Sequence, residues 1–382
     1  MSSLRQPYVL NADSRRGDLC AGLFSARELD AVHRWFQDQE SYSPTPLRRL
    51  RGYARDIGIG ELLVKDESYR MGLNSFKILG VSYAVARLIK SGEVGVGSTV
   101  ACATDGNHGR AVAHVARRYQ LLSRIFMHQG ASRARIKAIE AEGAQVIIVD
   151  GNYDDSVKQA AQEAEKNGWV LISDTSWPGY EAVPRHIMAG YTMLMTEAAE
   201  QWGSPPDSVL VQAGVGGLAG AVVSWFLEKF GEVRPRIVSC EPKNAACVME
   251  SMRAGAPITV DGSLETIMAG LSCGTVSPIA WPVLFGGLEA CVAITDGDCA
   301  DAVRTLAHPQ PGDPAIIAGE SGACGVAALG AIMHRDEFRT VRDALHLDAE
   351  SRVMVINTEG ATDRESYCTL TGFSPDELFL HS

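Results

Sequence analysis

Short apolar runs alternate along the chain with longer stretches whose apolar positions recur at helical spacing. The short runs predict strands at Glu61–Lys65, Thr99–Ala103, Arg124–Met127, Gln145–Val149, Val170–Ser173, Ser208–Gln212, Arg236–Cys240, Ala290–Ile294 and Val353–Asn357. Several are almost wholly apolar, as strands are when helices cover both faces of their sheet. The longer stretches predict amphipathic helices, one from about Ser75 to Lys90 with Phe76, Leu79, Tyr83, Ala86 and Ile89 on one face. Others fall near His108–Tyr119, Ser132–Glu142, Tyr153–Lys166, Arg185–Gln201, Leu218–Phe230 and Ser321–His334. Strand and helix in alternation signal βα units, so the expected fold class is α/β with mostly parallel sheets. No repeat, low-complexity tract or Gly/Ser-rich linker interrupts the pattern, which leaves room for one domain inserted within another.

Composition narrows the class. At 382 residues, 46% hydrophobic and 21% charged, the chain suits a soluble protein of two domains that buries its core without disulfide or metal staples. Acidic residues outnumber basic ones by 46 to 35 and no Lys/Arg block occurs, so nucleic acid is not an expected partner. Nine scattered cysteines without a CxxC pair read as reduced thiols. The first residues are polar and unlike a signal peptide, and no apolar run approaches the ~20 residues of a membrane span. A cytoplasmic protein away from membranes is expected. The nine histidines form no HExxH and no His/Cys cluster, so no metal site is expected.

Four segments carry candidate chemistry. Lys65-Asp66-Glu67-Ser68-Tyr69-Arg70-Met71-Gly72-Leu73-Asn74-Ser75-Phe76-Lys77 runs from a strand through a polar loop into a helix, with Ser75 as the expected N-cap. Lys77 then lies in the first turn, where the helix dipole disfavours a cation and suits a neutral nucleophile, although an ordinary solvated lysine also fits. Thr104-Asp105-Gly106-Asn107-His108-Gly109 follows a strand and opens a helix whose free N–H groups favour a carboxylate or phosphate. Gly214-Val215-Gly216-Gly217-Leu218-Ala219-Gly220 does the same and can wrap a phosphate. Its spacing is not GxGxxG, yet Gly220 leaves a loose echo and Glu241 follows the next strand, so a nicotinamide cofactor stays open on this loop alone. Ile356-Asn357-Thr358-Glu359-Gly360 ends the last strand with a hydroxyl and a turn.

Together and in this order, the four segments resemble the fold-type II pyridoxal-phosphate enzymes, a group that includes threonine dehydratase, serine racemase and cysteine synthase. The resemblance implies two three-layer domains and bound pyridoxal 5'-phosphate. It implies that Lys77, flanked by Phe76, carries the cofactor. Asn107 would meet its phenolic oxygen, Gly214, Val215, Gly216, Gly217 and Leu218 its phosphate, and Thr358 its pyridine nitrogen. A large cofactor-binding domain of residues 1–89 and 200–382, with a small domain of 90–199 inserted, and a homodimer are the corresponding expectations.

Within that group, the run Gly72-Leu73-Asn74-Ser75-Phe76-Lys77 is similar to the lysine loop of the diaminopropionate ammonia-lyases. So are Asp105 where dehydratases carry a small residue, Asp174-Thr175-Ser176-Trp177-Pro178-Gly179-Tyr180-Glu181, Thr266-Ile267-Met268-Ala269-Gly270-Leu271, Gly319-Glu320-Ser321-Gly322-Ala323 and Thr358-Glu359-Gly360-Ala361-Thr362-Asp363. Two segments depart from that pattern, at three positions. Typical members read TAWEGYE where this chain has Thr175–Glu181, and EGDTD where it has Glu359–Asp363; Pro178 also lacks a backbone donor. The resemblance implies elimination of the β-amino group of D- or L-2,3-diaminopropionate to pyruvate and ammonia. Lys77, Asp105 and Asp174 are the catalytic candidates, Asp105 as base for the D-isomer and Asp174 as L-side base or ammonium anchor. Thr104, Asp105, Asn107, His108 and Asp174 are the expected substrate contacts. A serine/threonine-type dehydratase, or a lyase of another β-substituted alanine, remains the alternative on the same fold.

Overall fold

A computed structural model of the chain describes residues 6–14, 22–104, 106–151 and 153–378. Its strands form two sheets. The first has seven strands in the order β1-β10-β9-β8-β11-β3-β2, where β1 is Tyr8–Leu10, β2 Leu47–Arg49, β3 Glu61–Asp66, β8 Ser208–Gln212, β9 Arg236–Pro242, β10 Ala290–Ile294 and β11 Arg352–Asn357. Its five inner strands run parallel, and only the short edge strands β1 and β2 are antiparallel to their neighbours. The second sheet is wholly parallel, in the order β6-β5-β4-β7, with β4 Thr99–Ala103, β5 Leu122–His128, β6 Gln145–Val149 and β7 Val170–Leu171. The α/β class with mostly parallel sheets expected from the alternation is what the chain adopts. Every residue of β8 and β10 is buried, as an inner strand covered on both faces must be.

Two local departures have identifiable causes. The strand expected over Val170–Ser173 stops at Leu171 because side chains claim its next backbone groups. The Ile172 carbonyl bonds His108 Nε2 at 2.7 Å, and the Ser173 N–H donates to the Tyr180 hydroxyl at 2.9 Å. The helix expected over Arg185–Gln201 is two helices, Ala182–Tyr191 and Met193–Gln201. Thr192 divides them, and its hydroxyl bonds back to the Ala189 carbonyl at 2.6 Å, a local competitor of the helical ladder.

Two features fix the frame of the site. The helices Lys77–Ser91 and Ala182–Tyr191 cross backbone to backbone. A Cβ at Gly80 would lie 2.5 Å from Tyr191 and one at Gly190 2.6 Å from the Leu79 carbonyl oxygen, so only glycine permits the approach. Beneath the loop that follows β3 lies a fully buried charge cluster. Arg70 grips Glu67 at 2.6 and 2.8 Å and Glu197 at 2.7 and 2.8 Å, while Lys65 donates to Glu197 at 2.6 Å. Two cations meet two carboxylates in paired geometry, the arrangement that makes buried charge tolerable. Among the described residues no helix is long and apolar enough to cross a membrane. The eight described cysteines are free, and Cys20 lies outside the described residues.

Candidate active site

The four candidate segments all follow the carboxyl ends of parallel strands, β3, β4, β8 and β11, where open α/β sheets place their ligands. β8, β11 and β3 are neighbours, so three of the loops share one rim, and the β4 loop faces them from the second sheet.

The lysine loop is stitched to the loop after β11. Ser75 and Glu359 form an antiparallel bridge, and the Phe76 N–H donates to the Thr358 carbonyl at 3.1 Å. Ser75 is therefore not the N-cap. The helix starts at Lys77 with Phe76 as its cap, because the backbone of Ser75 is held in that bridge. Lys77 in the first turn projects into the pocket, and its Nζ forms an ion pair with Asp174. Burial disfavours the ammonium, yet Asp174 more than offsets it and raises the pKa above that of an ordinary lysine. Burial likewise pushes Asp174 up, but Lys77 overturns this and holds the carboxyl well below the usual carboxylate range.

His108 stands beside them, its Nδ1 3.7 Å from the Asp174 carboxylate. Burial lowers its pKa despite Asp174. Because Nε2 meets the Ile172 carbonyl, which only accepts, the proton of the neutral ring is assigned to Nε2 and Nδ1 presents a lone pair. Tyr191 packs its ring on Phe76, 4.7 Å between centroids, and burial raises its pKa despite the Lys77 charge.

Across the pocket, Thr104 Oγ1 accepts from the N–H groups of Gly106 and Gly109 at 2.9 and 3.0 Å and so caps the helix Asn107–Arg118. Asn107 opens that helix, and its Nδ2 donates to Glu359. Gly216 has φ +91°, which a side chain would strain, and a Cβ there would lie 2.6 Å from Leu284. It turns the chain into the helix Gly217–Phe230, whose first N–H groups have no intrahelical acceptor. Thr358 Oγ1 accepts from Gln212 Nε2 at 3.1 Å, which leaves the hydroxyl proton available to the pocket.

Lys77, Phe76, Thr104, Asn107, His108, Asp174, Gly214, Val215, Gly216, Gly217, Leu218 and Thr358 thus line one pocket. Asp105 lies outside the described residues. Gln212, Tyr191, Ser321 and Glu359 line it too and were not singled out from sequence. The signal was there for the last two, which sit inside Gly319–Ala323 and Thr358–Asp363; Gln212 and Tyr191 read as a strand end and a helix residue. Pro178 turns out to be harmless to the backbone. It occupies the second position of a turn in which the Tyr180 N–H donates to the Trp177 carbonyl at 2.8 Å, a place that needs no donor.

These residues fit pyridoxal phosphate. A helix N-terminus opened by glycines suits its phosphate, an amine suits its aldehyde and a hydroxyl proton suits its ring nitrogen. Three buried polar atoms that lack a hydrogen-bond partner, Gln212 Oε1, His108 Nδ1 and the Tyr191 hydroxyl, belong to residues that line this pocket. The sequence profile described as "Pyridoxal-phosphate dependent enzyme" matches residues 39–359. The chain belongs to that family. This ends the nicotinamide alternative.

Within the family, the chain is 38% identical over 363 residues to the diaminopropionate ammonia-lyase of Escherichia coli K12, covering 90% of this chain and 91% of that one. The structure of the Escherichia coli enzyme in complex with an aminoacrylate-PLP azomethine reaction intermediate superposes with a TM-score of 0.89 at 36% identity, covering 95% of this chain and 96% of that one. The same enzyme in complex with D-serine gives a TM-score of 0.89 at 35% identity with the same coverage. Both neighbours share the fold-type II architecture expected from the motifs.

Proposed function

We propose that this pyridoxal-phosphate enzyme eliminates the β-amino group of 2,3-diaminopropionate, D, L or both, to give pyruvate and ammonia. The observation that carries the reading is a partly buried carboxylate, Asp174, in direct contact with the Lys77 amine inside the pocket. A substrate with a second, cationic amine needs such a carboxylate, whereas a hydroxy amino acid does not. The 38% identity to an enzyme of that name supports the same reaction.

Bound pyridoxal phosphate supplies an electron sink that eases loss of the α-proton and of the β-amine. Lys77 carries it, and in doing so ceases to be an ammonium facing Asp174. Losing that ammonium would remove the main influence that lowers Asp174, against which burial acts upward. Asp174 takes the α-proton of the L-isomer or holds the β-ammonium. Lys77 Nζ would move a proton as well as hold the cofactor. Asp105 is the assigned base for the D-isomer on the resemblance alone. Gly214–Leu218 would hold the phosphate, Thr358 would donate to the ring nitrogen, Asn107 would donate to the phenolic oxygen, and Thr104 and His108 would complete the substrate side.

The same reading assigns residues 1–89 and 200–382 to a large cofactor-binding domain and 90–199 to a small one, supported by the confinement of β4–β7 to 99–171. Glu197 fastens the end of the small domain to Lys65 and Arg70 of the large one. A cytoplasmic homodimer completes the proposal. The test is pyruvate release from D- and L-2,3-diaminopropionate by the holoenzyme and by Lys77→Ala. Faster release of 2-oxobutyrate from threonine than of pyruvate from diaminopropionate would replace it with the dehydratase reading.

A further inference from the structure

The side chain of Glu359 is buried at the wall of the pocket, and both its oxygens accept hydrogen bonds. Oε1 accepts from the Ser321 N–H at 3.1 Å. Oε2 accepts from the Thr362 hydroxyl at 3.1 Å and from Asn107 Nδ2. The donors come from three separate places, the start of the helix Glu320–His334, the turn after β11 and the start of the helix Asn107–Arg118. A Cβ on Gly319 would stand 2.9 Å from Oε1, so the missing side chain at Gly319 is what leaves the carboxylate its place.

A primary amide has two ends of nearly equal shape and opposite hydrogen-bonding character, so sterics do not decide which end faces the pocket. An ionised carboxylate accepts only, and it bonds an N–H donor more strongly than a neutral oxygen would. It therefore holds the nitrogen end of Asn107 and leaves the second N–H of that nitrogen as the group offered to a ligand.

We propose that Glu359 is a positioning residue that fixes the amide of Asn107 nitrogen-inward, so that Asn107 donates to the phenolic oxygen of pyridoxal phosphate. The inference rests on the cofactor reading above and adds a residue to it. Without the carboxylate the amide turns freely between donor and acceptor, and half its orientations set oxygen against oxygen.

The test is the pH midpoint of the long-wavelength absorbance of the holoenzyme, compared across wild type, Glu359→Gln, Asn107→Ala and the double variant. Losing one hydrogen bond to the phenolic oxygen should raise the midpoint by up to about one unit, roughly a tenfold change in the equilibrium. Glu359→Gln should shift it in the same direction as Asn107→Ala and by less, and the double variant no further than Asn107→Ala alone. An unshifted midpoint in Glu359→Gln overturns the proposal, as does a shift that persists in full on the Asn107→Ala background. If Glu359→Gln does not fold, Glu359→Asp carries the test, since it withdraws the carboxylate by one methylene. The same upward shift is expected, and an unchanged midpoint overturns the proposal. A wild-type protein that shows no such absorbance would instead overturn the cofactor reading.

Discussion

Replacing Asp174 by Asn should make the apoenzyme capture its cofactor faster while impairing turnover. Lys77 attacks the cofactor's aldehyde only as a neutral amine, and in the structure it is an ammonium held by Asp174. Burial favours the neutral form, and Asp174 is the group that overrides it. Two unit charges about 4 Å apart attract by about 4 kcal/mol at an effective dielectric of about 20, equivalent to about three pKa units. The two side chains retain 19% and 12% exposure, so solvent screens part of this. A fall of about one to two units remains, and each unit gives about ten times more neutral lysine at a pH below its pKa. The sign is fixed: a lower Lys77 pKa means more amine and faster capture. At saturating cofactor near neutral pH, growth of the long-wavelength absorbance should be roughly 10- to 100-fold faster in Asp174→Asn. The rate on L-2,3-diaminopropionate should fall at least about 100-fold, the usual scale for a lost general base. Capture at the wild-type rate or slower would refute the reasoning.

Gly216→Ala forces a side chain into a left-handed position and against Leu284, a strain of about 1–3 kcal/mol, and should weaken pyridoxal phosphate binding by roughly 5- to 150-fold in an equilibrium titration. Arg70→Met leaves the buried Glu67 and Glu197 with one fewer cation, Lys65 remaining on Glu197, and should lower stability by about 3–5 kcal/mol in urea unfolding. Burial raises the pKa of Glu197, but Arg70 and Lys65 overcome it and bring it to about 2, below the 4.5 of an ordinary glutamate. Its stabilisation is thus present above pH 4.5 and lost as pH falls toward 2, a loss that urea midpoints measured across that window should record. Thr358→Asp puts an anion where the hydroxyl donates and should keep the ring nitrogen protonated, raising the yield of transamination side products seen by chromatography.

The sheets and the rim of the pocket were readable because their signals are local. β10 is a continuous apolar run and β8 is apolar at its three central residues, and each loop that reaches the site begins within a few residues of a strand. What escaped depends on residues far apart in the chain. β7 ends early because His108, 64 residues away, takes the Ile172 carbonyl. Lys65 reads as a polar strand end, yet it is wholly buried because Glu197 arrives from 132 residues on. Glu359 stands next to the recognised Thr358, but its partner Asn107 is 252 residues distant. The edge strands β1 and β2 have three residues each, too few for alternation to show. The helix Asp296–Ala307 carries a capping box at Thr295 and Asp298, a signal that was legible and was passed over.

The central claim is that this pocket binds pyridoxal phosphate on Lys77 and eliminates ammonia from diaminopropionate. Its most direct test is the absorbance spectrum of the purified holoenzyme, followed by addition of D- and L-2,3-diaminopropionate with simultaneous detection of pyruvate. A long-wavelength band that is absent in Lys77→Ala, shifts on addition of substrate and is accompanied by pyruvate is the expected result. A band that neither isomer shifts, with no pyruvate formed, would contradict the claim and move the substrate elsewhere.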